Sequence, residues 1–237
     1  MTVVVRRGMD RFVTREPGRQ TRHSFSFGSF YDAGRVSFGP LFALNDDLLA
    51  SRSGYDEHEH ADVVLVTWVV SGTLVHSDTA SDTASDTASG PGQPAGELAV
   101  TRTGSGIRHT ERAGAAPVRF VQAWLRPGRP GGEPSRRTTT PDLDSGDLVL
   151  VAGEDDLGVP GAGLRIVTLA EGASVTVPAA PLRYLFVVTG ALRRSSLAEP
   201  LAAGDAFEVT GDHRLEVTAA VPTQLLAWAF DEPPVRR

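Results

Sequence analysis

The sequence predicts an all-β protein made of two similar β-barrel halves, and three observations carry that expectation. Short runs of β-branched and aromatic residues recur along the chain, divided by Gly- and Asp-containing turns. No stretch repeats apolar residues at helical spacing. The two halves also share an order: a buried run ending in Gly (Val63–Gly72 and Leu185–Gly190), a Gly-acidic step (Gly96-Glu97 and Gly204-Asp205), and then a strand.

Taken in order, Thr2 to Val5 reads as an edge strand, and His23 to Gly28 as a strand with a Phe face. Phe38 to Leu44 reads as a buried strand. Asn45-Asp46-Asp47 and Ser51-Arg52-Ser53-Gly54 have turn composition. Val63 to Val70 has the density of a central strand, stopped by Ser71-Gly72, and Thr73 to His76 is expected to return antiparallel.

From Ser77 a Ser-Asp-Thr-Ala pattern repeats through Ser89 into a Gly/Pro segment, too small and polar to order itself. Residues 77–95 are therefore expected to be a mobile insert. Strands follow at Glu97 to Thr103 and Val118 to Leu125, and clustered Pro, Gly, Thr and Arg from Arg126 to Ser145 have the composition of a linker. Beyond it, strands are expected at Leu148–Val151, Leu164–Thr168, Ser174–Val177, Tyr184–Val188, Phe207–Val209, Leu215–Thr218 and Gln224–Ala229. The domains predicted are 1–130, a linker at 131–146, and 147–237.

With 237 residues and 41% hydrophobic content, the chain can fill a substantial core. The formal charge of −6 argues against sequence-independent binding to nucleic acid or an anionic membrane. All 23 basic residues are Arg, so a single Arg carries little functional weight. The absence of Cys leaves nitrogen and oxygen as the only metal ligands. No leader pattern or long apolar stretch stands out, and a cytoplasmic protein is expected.

The chemistry gathers at two short runs. His58 and His60 are two apart, as are His109 and Glu111, and residues two apart on a strand face the same way. If the fold brings the pairs together, three imidazoles and a carboxylate converge on one ion. A divalent metal there keeps a single net positive charge and an open position, which suits Fe(II) and also admits Zn, Mn, Ni or Cu. Glu111 reads first as a ligand, and its carboxylate is also a candidate base for a bound hydroxyl. His76 reads first as solvated at a strand end and secondarily as a residue that reaches the cavity rim or hydrogen-bonds to a ligand. Asn45 and Asp46 read as turn residues that could also support the site, while His23 and His213 read as structural. Phe25, Phe27, Phe38, Phe42 and Trp68 read mainly as core and secondarily as pocket walls.

Several stretches together resemble the pirin family of bicupins. They are Arg22 to Gly28 with Tyr31-Asp32, Phe38-Gly39-Pro40-Leu41, Leu44-Asn45-Asp46-Asp47, His58-x-His60, Gly72 with His76-x-Asp78, and Gly104 to Glu111. The resemblance implies two cupin-type jelly-roll barrels in tandem, the second degenerate and without metal. It also implies one iron or similar ion on His58, His60, His109 and Glu111. Some members are similar to quercetin 2,3-dioxygenases, and others act as metal-dependent partners of transcription factors or enzymes. The expected partner is therefore a small aromatic substrate or a regulatory protein, with the chain a monomer. Where the family has Pro between the first two histidines and Glu four residues after the second, this chain has Glu59 and Val64. Ala99 to Arg102 replaces the usual Gln, aromatic and Met.

Overall fold

The computed structural model describes residues 2–78, 92–193, 200–212 and 214–231. The core of the Ser-Asp-Thr-Ala repeat and His213 lie outside the described residues. The first half contributes β1 (Thr2–Arg6), β2 (Phe12–Glu16), β3 (Arg19–His23), β4 (Leu41–Leu49), β5 (Gly54–His60) and β6 (Val64–Ser71). It continues with β7 (Thr73–Asp78), β8 (Gly92–Pro94), β9 (Leu98–Arg102), β10 (Ile107–Ala113), β11 (Val118–Leu125) and β12 (Ser135–Thr139). The second half adds β13 (Val149–Ala152), β14 (Gly163–Leu169), β15 (Ser174–Val177), β16 (Leu182–Thr189) and β17 (Ala191–Leu192). It ends with β18 (Leu201–Ala202), β19 (Ala206–Thr210), β20 (Leu215–Thr218) and β21 (Thr223–Phe230). The α-helix among the described residues is a single turn, Glu154–Leu157, stopped by Gly158 in the left-handed region (φ 62).

Two compact units emerge. Phe12–Val36 with Leu41–Pro141 form the first, and Met1–Arg11, Ser37–Pro40 and Asp142–Arg237 form the second. The N-terminal strand therefore groups with the C-terminal half, where β1 pairs antiparallel with β19. Arg6 fixes it there through two hydrogen bonds of 2.9 Å to the Glu208 carboxylate.

In the first unit a seven-stranded sheet, β12-β9-β6-β11-β4-β3-β2, accompanies a four-stranded one, β5-β10-β7-β8. Alternation on β11 organises the interior. Val118 and Phe120 join Leu49, Val69, Leu74 and Ala113 in an apolar cluster, and the same face continues to Gln122 and Trp124. The barrel-like interior is thus apolar at one end and polar at the other.

The second unit carries a six-stranded sheet, β1-β19-β16-β21-β14-β13, with the pairs β15-β20 and β17-β18. Its core includes Val167, Leu169, Leu185, Val187, Phe207, Val209, Leu225 and Ala227, alternate residues of four paired strands. The expected kinship of the halves has an atomic counterpart. Gly72 and Gly190 both turn at φ 79, and a Cβ on either would lie 2.2 Å from a proline carbonyl, that of Pro117 or of Pro222. Only Gly permits that approach.

Four local expectations need correction. Asn45-Asp46-Asp47 is the middle of β4, because pairing with β3 and β11 on both sides overrides the turn propensity of those residues. The strand read from His23 ends there, and Phe25 and Phe27 lie beyond it. The expected linker contains β12, an edge strand with no buried residue and hence no apolar alternation to read. Both ends of the expected insert are strand: Ser77 and Asp78 pair with Thr110 and His109, and Gly92 to Pro94 pair with Thr73 to Val75.

Candidate metal centre

β5 and β10 pair so that His58 lies opposite His109 and His60 opposite Ile107. The pairing then slips: between His109 and Glu111, β5 advances by one residue more than β10, and Glu111 faces Tyr55. This bulge carries Tyr55 onto the face of His58 and His60, where plain alternation would turn it away. Asp56, Glu57 and Glu59 are left outside, held to Arg108 and Arg112. Such exposed pairs contribute little stability.

Inside, the Nε2 atoms of His58 and His109 are 2.9 Å apart. Two ligands at ~2.1 Å from one ion and at right angles would be separated by ~3.0 Å, so the spacing fits a shared metal. The other nitrogens are engaged. His58 Nδ1 donates to the Asp56 carbonyl at 2.7 Å, and His109 Nδ1 meets His76 Nε2 at 2.8 Å. These contacts orient both rings with Nε2 inward. The His60 ring sits 4.9 Å from both others and 4.7 Å from Trp124. Burial, and then the nearby His58, push its pKa down to about 4, leaving the neutral imidazole a metal requires.

Two overlapping groups of donors could hold an ion: His58, His60 and His109, and His76, His109 and Glu111. His109 belongs to both. Glu111 accepts a 2.7 Å hydrogen bond from Gln122, whose amide also reaches Thr67 Oγ1 at 3.1 Å and is oriented by a 2.7 Å bond from the Trp124 indole to its oxygen. Glu111 is 3% exposed. Burial and the Asp47 charge push its pKa up to about 7, against Arg136 and the Gln122 bond. It is therefore poised to exchange a proton near neutral pH.

Asp47, 2% exposed, is the centre of a second polar group. Its Oδ1 accepts from Thr21 and from the Tyr55 hydroxyl, each at 2.5 Å, and Thr21 and Tyr55 are 2.8 Å apart. Burial and the adjacent carboxylate raise the Tyr55 pKa, so the phenol stays protonated. Asn45 bonds His23 at 2.9 Å, and His23 reaches Thr14 at 2.9 Å and stacks on Phe27. Phe27, Asn45, Asp47, Tyr55, His58, Glu111, Gln122 and Trp124 enclose a cavity of ≈ 210 Å³.

Of the residues singled out by sequence, His58, His60 and His109 come together and Glu111 stands beside His109. For His76 the structure replaces the first reading, solvated, with the second: it is 8% exposed and bonded to His109, because β7 pairs with β10 and places it opposite Glu111. Asp46 points to the other face, to Arg119 at 2.9 and 3.0 Å, while Asn45 supports the cavity wall. Trp68 is buried core, and Phe27 is the aromatic that reaches the cavity from the group proposed. Gln122, Trp124, Asp47 and Tyr55 escape sequence reading. The signal that could find Gln122 and Trp124 is their phase on β11, continuing the face of Val118 and Phe120.

The pirin family model matches residues 5–125. A Mycobacterium tuberculosis protein provisionally named quercetin 2,3-dioxygenase is 37% identical over 242 aligned positions, covering 96% of this chain and 94% of that one. A pirin-like protein of Caulobacter vibrioides is 31% identical, covering 78% and 70%. Among solved structures, the bacterial pirin YhhW of Escherichia coli in complex with nickel(II) superposes with a TM-score of 0.85 at 22% identity, covering 98% of this chain and all of its own. A quercetin 2,3-dioxygenase from Acinetobacter baumannii superposes with a TM-score of 0.74 at 17% identity, covering 96% and 85%. With its paired β-sheet units, its His/Glu cluster and this sequence likeness along nearly the whole chain, the protein belongs to the pirin family.

Proposed function

We propose that His58, His60, His109 and Glu111 hold one divalent ion, Fe(II), and that the protein is a dioxygenase-type enzyme acting on a phenolic or enolic small molecule. The observation that carries this reading is the 2.9 Å approach of two histidine Nε2 atoms whose Nδ1 atoms are both engaged elsewhere. The nickel(II) bound by the Escherichia coli pirin supports a divalent ion of this kind. A bound metal supplies the Lewis-acid and redox chemistry that side chains lack.

The chain's own groups do the rest. Trp124 and Phe27, in edge contact with centroids 5.2 Å apart, offer apolar walls to a ring. Glu111, held by Gln122, is the carboxylate placed to take the proton of the substrate hydroxyl. The reading treats the protein as a cytoplasmic monomer.

The test is metal analysis and oxygen uptake on purified protein. About one ion per chain is expected, with loss in His58→Ala, and phenols added anaerobically should perturb the spectrum of the iron-loaded protein. Normal metal content in His58→Ala would sink the site, and silence across a broad phenol panel would sink the chemistry.

A second reading, a metal-dependent regulatory module that binds a transcription factor or enzyme, is favoured by the cavity volume of ≈ 210 Å³, small beside the roughly 300–1,000 Å³ of typical ligand sites. It requires a partner captured by the iron-loaded protein and not by the metal-free one.

A further inference from the structure

We propose that the interior of the second unit holds a binding site for a small organic carboxylate, gripped by Arg183 and Arg165 over a floor of Gly163, Ala227 and Ala229.

Strand register places these residues. Arg183, Ala229 and Gly163 stand side by side on β16, β21 and β14, and Leu185, Ala227 and Arg165 form the next row on the same face. That face is the interior one, since Leu185 and Ala227 belong to the apolar core of this unit. Arg165 bends towards the first row: its Nη1 lies 3.8 Å from where a Cβ on Gly163 would be. Neighbouring strands are about 4.8 Å apart, so the Arg183 and Gly163 backbones are separated by about 10 Å, with only the methyl group of Ala229 between them.

The first unit shows what the small residues replace. There Leu65 pairs with Trp124 and Thr67 with Gln122. The corresponding positions, fixed by Gly72 and Pro117 in one unit and Gly190 and Pro222 in the other, are Arg183 with Ala229 and Leu185 with Ala227. Where the first unit fills its interior with an indole and a carboxamide, the second has two methyl groups and a cation.

The cations are unmatched. Arg183 is 0% exposed; its Nη2 donates to the Gly211 carbonyl, and its Nε and Nη1 have no hydrogen-bond partner among the described residues. Whichever proton Nη2 spends, one two-donor edge of the guanidinium remains. Arg165, half-buried, has neither a hydrogen bond nor an ion pair among the described residues. Asp212, the carboxylate that acts on Arg183, and Asp231, just beyond Ala229, are exposed and bonded to neither arginine. A buried guanidinium in this condition calls for an acceptor, and a carboxylate matches its planar edge with two parallel bonds. Leu185 and Val209 beside Arg183, and Leu150 opposite Arg165, offer apolar surface to a short hydrocarbon body. Phosphate would bring further oxygens that such a wall leaves without partners. The way in lies past Arg165 and Ala229, both half-buried.

Calorimetric titration of the full chain, treated with a chelator so that no metal can hold the ligand, reads the site. Butyrate should bind saturably, and phosphate at least about tenfold more weakly. Arg183→Met and Arg165→Met should each weaken butyrate at least about tenfold, and Arg183→Lys, which keeps the charge and loses the planar edge, should weaken it nearly as much. Ala229→Leu fills the floor without touching a charge and should abolish binding. Arg165→Met, at a half-buried position, serves if the Arg183 variants do not fold. No saturable binding of butyrate, phosphate bound as tightly as butyrate, or butyrate binding undiminished in Arg183→Met, Arg165→Met or Ala229→Leu would overturn the proposal.

Discussion

Tyr55 and His58 face one cavity although an odd number of positions separates them, because the bulge between the His58–His109 and Tyr55–Glu111 pairs gives β5 one extra residue. Deleting Glu57 alone leaves Tyr55 two positions before His58, where alternation by itself keeps it inward. That variant should lie within about 1 kcal/mol of the wild type. Deleting Asp56 and Glu57 together turns Tyr55 out and takes a donor from buried Asp47, costing a further ~1–3 kcal/mol. Denaturant midpoints of the two deletions, compared side by side, check the difference.

His76 should matter to metal affinity without being required for a folded protein. Through the 2.8 Å contact with His109 Nδ1 it sets the tautomer that leaves Nε2 for the ion. His76→Phe is expected to weaken metal binding about 10- to 100-fold. Competition with a metal chelator measures it, and unchanged affinity would show that His109 is oriented without His76.

The pH dependence of the metal-free protein has two opposing parts. Glu111, raised from 4.5 to about 7, keeps its proton in the folded chain where the unfolded chain has lost it. Its contribution therefore falls as pH rises from 4.5 to 7. His60, lowered from 6.5 to about 4, makes the unfolded chain the better proton binder, so its contribution grows with pH from 4 to 6.5. Between pH 4.5 and 6.5 the two largely cancel. Glu111→Gln removes the first alone, and the metal-free variant should gain up to about 1.4 kcal/mol per pH unit across that window. Urea unfolding at three pH values is sufficient to see it.

In the second unit, Arg183 is 0% exposed, and its Nε and Nη1 have no hydrogen-bond partner among the described residues. Nη2 donates to the Gly211 carbonyl at 2.7 Å. Arg183 stands in phase with Leu185 and Val187 of the apolar core. Replacing an incompletely satisfied buried cation by an apolar side chain of similar length should be neutral or stabilising by up to about 2 kcal/mol. A thermal midpoint for Arg183→Met below that of the wild type would show that the guanidinium stabilises the core.

How much of this is legible in sequence depends on the range of the interaction. His58, His60, His109 and Glu111 can be read because alternation on a strand is local. Tyr55 cannot, since a bulge is a property of two strands and the parity of one gives the wrong face. Asp47 reads as a turn residue because Asn-Asp-Asp has turn chemistry, yet β3 and β11 hold it in a strand with its side chain among Thr21 and Tyr55. His76 reads as solvated because its burial comes from β10, more than thirty positions downstream. Ser135 to Thr139 carries no apolar alternation because one edge and both faces of that strand are largely open.

The pairing of β1 with β19 has a bearing on synthesis. Arg6 and Glu208, bonded to each other, are 202 positions apart, so β1 must wait through the synthesis of both halves for its partner. The sheet of the second unit cannot close until β19 has emerged, and β1 remains an unpaired edge in the meantime. A fragment beginning at the second half would lack that strand altogether, with β19 exposed as a site for pairing with another chain.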